Sequence, residues 1–64
     1  MNTHKDKNAL YIVEAMIWDT GYSFAAAVDD YARADRIHPY QADAYLRGYI
    51  ANRYPRRAAG LIAQ

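Results

Sequence analysis

From Ala9 to Trp18 the chain reads ALYIVEAMIW, and only Glu14 breaks the apolar run before Asp19. At about 100° per residue the apolar positions reach right round the helix. Leu10, Val13 and Ile17 take one side, Ile12 and Met16 the next, and Tyr11, Ala15 and Trp18 the third. The pattern predicts a helix over 6–19, with Thr3 or Asp6 as N-cap and Thr20-Gly21 as the stop, since glycine accepts the left-handed closing conformation. A helix apolar on all sides is normally buried on all sides, and two short neighbours cannot surround it. A homodimer built on this helix, with Tyr11 and Trp18 at its interface, is therefore expected.

The second segment has a conventional pattern. Ser23 is a good N-cap for a helix over 23–36, in which Phe24, Ala25, Val28, Tyr31 and Ala32 share a face while Asp29, Asp30 and Arg33 look outward. Asp29 and Arg33 have the i,i+4 spacing of a favourable ion pair. The short TGYS connection makes the first two helices an αα-hairpin or a helix-turn-helix corner.

Pro39 suits the first position of a third helix over 39–54, where its missing N–H does no harm. Ala42, Tyr45, Leu46, Tyr49 and Ile50 fall in one stripe, the expected core face. Ala44, Gly48 and Ala51 form a narrow second strip without bulk, along which another helix backbone can approach closely. They join Tyr11 and Trp18 as expected dimer contacts. Pro55 ends the helix, leaving RRAAGLIAQ either as a short turn that docks Leu61 and Ile62 or as a frayed tail. The expected fold is thus all-α: one domain over 1–64, a small three-helix bundle, dimeric.

Composition strengthens the case for self-association. Sixty-four residues bury only about 60% of their unfolded surface, and with no cysteine there is no disulfide to help. Thirteen of the apolar residues are alanine and seven are tyrosine, so tyrosine must fill much of the core. His4 and His38 are too few for a zinc cluster, and no cofactor or metal is expected. No apolar run approaches the roughly 20 residues that cross a membrane, and MNTHKDKN lacks the plan of a secretory signal. A cytoplasmic location follows by default.

The charges are laid out unevenly. Residues 1–43 carry all seven acids and a formal charge of −3, whereas residues 44–64 carry four arginines and +4. Arg47, Arg53, Arg56 and Arg57, with Tyr40 and Tyr54, make a basic, aromatic end that is the expected partner-binding surface. Tyrosine and arginine are the residues enriched at binding hot spots.

No catalytic residue is expected. Asp29 and Asp30 are adjacent and so about 100° apart on a helix, unable to converge on one substrate atom. His38, in a connection before Pro39, reads as structural. The glycines are isolated, and no hydroxyl has a base at recognisable spacing. The expected function is a small non-enzymatic protein–protein interaction module, of the kind a phage or plasmid regulator or inhibitor uses to occlude a larger protein. The alternative is nucleic-acid binding, through the helix-turn-helix corner or the basic tail. The net negative outer face of the second helix opposes the corner as a DNA reader.

Overall fold

The computed structural model describes residues 4–64, with side chains from Lys7 onward. Three long helices and a short fourth make up the chain: α1 (His4–Trp18), α2 (Phe24–Asp35), α3 (Pro39–Arg53) and α4 (Ala58–Ile62). Among the described residues there is no strand, so the architecture is the all-α bundle expected. α1 begins at His4, which puts Asp6 inside its first turn and not at the cap. The other cap candidate, Thr3, lies outside the described residues.

α2 is the central element, packed on α1 to one side and on α3 to the other, and α4 folds back against α3. Its N-cap is Ser23, whose Oγ accepts a hydrogen bond from the Ala26 N–H at 3.0 Å. α3 starts with a capping box: His38 Nδ1 accepts from the Tyr40 N–H, and Gln41 Oε1 accepts from the His38 N–H. The imidazole is thereby committed to structure, as its place before Pro39 suggested.

The core resolves the ambiguity of α1. Ala9, Ile12, Val13 and Met16 are buried, Leu10 and Ile17 flank them half-buried, and the opposite side faces water. One face of an apolar helix is thus sufficient to close this molecule. On α2 the buried set is Phe24, Ala27, Val28, Tyr31 and Ala32. Ala25, expected on that face, is exposed: it falls about 20° beyond Ala32, just past one edge of the buried arc, while Ala27 forms the opposite edge. α3 contributes Ala42, Leu46, Tyr49 and Ile50, as its stripe predicted, and Tyr45 lies half-buried at the edge. Tyr31 is fully buried and stacks on Tyr45, with centroids 5.4 Å apart and planes 7° from parallel. Tyrosine does fill the space between helices.

Of the two fates open to the C-terminal stretch, docking is the one observed. Tyr54 O accepts from the Arg57 N–H at 2.9 Å, closing a turn with Pro55 at its second position, and α4 then carries Leu61 into the core. Gln64 completes the closure. Its side-chain amide donates to Tyr22 O at 2.8 Å, Met16 O at 3.0 Å and Asp19 O at 3.3 Å. These are carbonyls of the last turn of α1 and of the following loop, groups that have no partner inside a helix.

α2 ends in a Schellman motif. The Arg36 N–H reaches Arg33 O, and the Ile37 N–H reaches Ala32 O. This geometry places Arg36 in the left-handed region, φ 55° and ψ 50°, the one positive-φ residue described. A β-carbon there costs about 1–2 kcal/mol, and glycine gives back part of this through its freer unfolded chain. Arg36→Gly is accordingly expected to raise stability by about 0.5–1 kcal/mol, or several degrees in thermal midpoint by circular dichroism. A lower midpoint would mean that the arginine side chain stabilises the fold by more than its backbone strain costs.

Candidate interaction surfaces

Helix α1 presents its two largest side chains to solvent. Tyr11 is 78% exposed and Trp18 88%. Seven residues apart, they lie about 20° from each other on the wheel and about 10 Å apart along the axis, opposite the arc that Ala9, Ile12, Val13 and Met16 bury. Glu14, also exposed, lies between them. The two residues expected at a dimer contact therefore share one face.

The basic, aromatic stretch does not form a single surface. Tyr40 stands at the start of α3, 82% exposed and stacked on His38 at 5.1 Å. Arg53 stands at the other end of a helix of 15 residues, about 20 Å away at 1.5 Å per residue. Arg47 is occupied: its Nε lies 2.6 Å from Asp43 Oδ1, and its guanidinium covers the Phe24 ring at 5.0 Å. Tyr54 is half-buried and packs against the core.

Of the four arginines in this stretch, Arg53, Arg56 and Arg57 are without an ion pair among the described residues, whose ion pairs are Arg33–Asp30 and Arg47–Asp43. Arg53 lies over the Tyr49 ring at 5.4 Å. It lines an open groove with Ala44, Tyr45, Gly48, Tyr49 and Asn52. The structure thus brings Arg53, expected to meet a partner, together with Ala44 and Gly48, expected to meet a second copy. Ala51 is exposed but outside that lining. A Cβ at Gly48 would meet nothing within 4 Å, so packing within the chain gives no reason for a glycine there.

Arg56 and Arg57 belong to a separate hollow of about 280 Å³, between the end of α1 and α4, lined also by Ile17, Thr20, Gly60, Leu61 and Gln64. No sequence signal pointed to it. It exists because the tail docks, and residues 17–20 and 56–64 become neighbours only through that docking. A third hollow lies beside Tyr40, lined by Val28, His38, Pro39 and Asp43.

The acids of α2 are used differently from their spacing. Arg33 pairs with Asp30 at i,i+3, Nη2 to Oδ1 at 2.7 Å, and not with Asp29. The other oxygen of Asp30 accepts from the Tyr22 hydroxyl at 2.6 Å. Burial, then this hydrogen bond and the negative charge of Asp30, raise the Tyr22 hydroxyl well above its ordinary pKa. Asp35 accepts from Asn8 Nδ2 at 2.6 Å, tying α2 to α1. Asp30 and Asp35 therefore serve the fold, and Asp29 is left exposed on the outer face. Among the described residues no three of His, Asp or Glu converge as a metal would require, and no helix is long and apolar enough to cross a membrane.

No protein-family model, curated protein sequence or solved structure matches this chain.

Proposed function

We propose that this chain is a non-enzymatic protein–protein interaction module that pairs with a second copy through the outer face of α1 and, as a dimer, occludes the surface of a larger protein. The observation that carries the proposal is the exposure of Tyr11 and Trp18 on one face of a helix whose other face already completes the core. Burying a large apolar side chain is worth about 1.5–3 kcal/mol, so the pair offers one partner about 3–6 kcal/mol. Association costs about 4–15 kcal/mol. A symmetric contact doubles the gain, because each copy contributes both aromatics, and that brings a dimer within reach without further ordering of either chain.

Trp18 is the only tryptophan, so its fluorescence reports this face alone. The expected result is a blue shift of its emission as concentration rises, in step with dimer formation by sedimentation. Trp18→Glu should abolish both while leaving the helical circular dichroism and thermal midpoint of the monomer unchanged, because the indole makes no part of the core. A monomer with water-exposed emission at millimolar concentration would sink the dimer.

Nucleic-acid binding is the second reading, supported by Arg53, Arg56 and Arg57, which no acid among the described residues neutralises. Against it, Arg33 on α2 is spent on Asp30 and Arg47 on α3 on Asp43. Neither helix thus offers an unpaired stripe of cations to the phosphates.

A further inference from the structure

We infer that the hollow between the end of α1 and α4 is a docking site for an acidic peptide segment of the partner protein, one that sets an apolar side chain next to a carboxylate. The inference rests on the reading of the chain as an interaction module and adds the chemistry of what it recognises.

Ile17 and Leu61 supply the apolar part of the lining and Thr20 and Gln64 a polar part, while Gly60 leaves its backbone bare, with nothing within 4 Å of where a Cβ would stand. On its rim are Arg56 and Arg57, both exposed and neither in an ion pair among the described residues. Their backbone is held by the turn that Pro55 opens and the Tyr54 O to Arg57 N–H bond closes, so both side chains start from a fixed turn. Guanidinium is the side chain best shaped to grip a carboxylate through two parallel hydrogen bonds. The negative end of α1 would oppose an anion at this place. Gln64 removes that objection, because its amide already donates to the carbonyls of Met16, Asp19 and Tyr22.

Size and charge select the ligand. At about 280 Å³ the hollow lies at the lower limit of small-molecule pockets, which run from roughly 300 to 1,000 Å³. It takes one or two side chains, not a cofactor. A nucleic-acid backbone would satisfy the rim and leave the apolar part of the lining in contact with water. A peptide with alternating apolar and acidic residues satisfies both. Three of this protein's own acids, Asp30, Asp35 and Asp43, are occupied by internal partners and do not compete for the rim.

The test is titration of the isotope-labelled protein, followed by NMR, with a blocked hexapeptide of alternating leucine and glutamate. The controls are the same peptide with glutamine for glutamate, inorganic phosphate, and a short single-stranded oligonucleotide. The acidic peptide should shift the amides of Thr20 and Gly60 and the side-chain Nε–H signals of Arg56 and Arg57, and saturate. Affinity should drop by about tenfold or more in Arg56→Glu/Arg57→Glu, through loss of charge-assisted hydrogen bonds. Gly60→Leu should lose as much by filling the hollow, and since its new side chain enters open space the fold should persist. Equal binding of the glutamine peptide, tighter binding of the oligonucleotide, shifts confined to other surfaces, or no binding would each overturn the inference. These outcomes leave Trp18 emission and dimer formation untouched, so failure here is separable from failure of the dimer.

Discussion

Tyr31→Ala is expected to leave the chain largely unfolded at room temperature. The side chain is 0% exposed, lies at the junction of α2 with α3, and stacks on Tyr45, which in turn lies 6.2 Å from Tyr49. Removing a buried aromatic costs about 3–5 kcal/mol, and the lost stacking adds to this. A chain of 64 residues has roughly 3–10 kcal/mol in total, at about 0.05–0.15 kcal/mol per residue. One substitution therefore removes between about a third and all of the stability. Urea titration by circular dichroism measures it, with Tyr40→Ala as the matched control, because Tyr40 is 82% exposed and its loss should move the midpoint little. Equal midpoints for the two variants would mean that Tyr31 does not occupy the core between α2 and α3.

Removal of residues 58–64 should have an effect of similar size. The truncated chain loses the burial of Leu61, 5% exposed, worth about 2–4 kcal/mol. It also loses the Gln64 side-chain amide, whose two hydrogens are shared among three carbonyls and are worth about 1 kcal/mol net each, and leaves the end of α1 uncapped. The sum is about 4–6 kcal/mol, enough to collapse amide dispersion in a proton–nitrogen correlation spectrum. Gln64→Ala alone separates the two parts and should cost about 1–2 kcal/mol. A truncated chain that melts like the intact one would return the tail to the frayed state that the sequence left open.

The helices were legible because their signals are local. Ser23 and Pro39 mark starts by side-chain and ring chemistry that acts within three residues, and the stripe Ala42, Leu46, Tyr49, Ile50 is a matter of period alone. The end of α2 was placed within one residue even though no glycine marks it; an arginine holds the left-handed position instead. What the sequence left undecided depends on contacts far along the chain. Ala25 and Ala27 are chemically identical, and only the placement of α1 and α3 buries one and exposes the other. Asp29 and Asp30 both suit Arg33, and the choice falls to Asp30 because the Tyr22 hydroxyl also reaches it.

The basic end shows the same limit from the side of function. Four arginines close in sequence looked like one surface, yet Arg47 is neutralised by Asp43, Arg53 lies in a groove of α3, and Arg56 and Arg57 belong to a hollow that the tail creates. Proximity along the chain said nothing of that division, because Pro55 turns the chain back between Arg53 and Arg56. Tyr11 and Trp18 went the other way. Their spacing alone put them on one side of α1, and the structure finds that side bare.

The Gln64 clasp also decides where a label can be attached. It draws the last residue to the end of α1, against the hollow and one turn from Trp18. An affinity tag, a dye or a fusion partner joined there would strain the clasp and screen both surfaces at once. The opposite end of α1 begins at His4, about 20 Å along the axis of this helix of 15 residues from Trp18. A tag joined at that end of α1 leaves Trp18 and the arginine rim open to whatever comes to bind them.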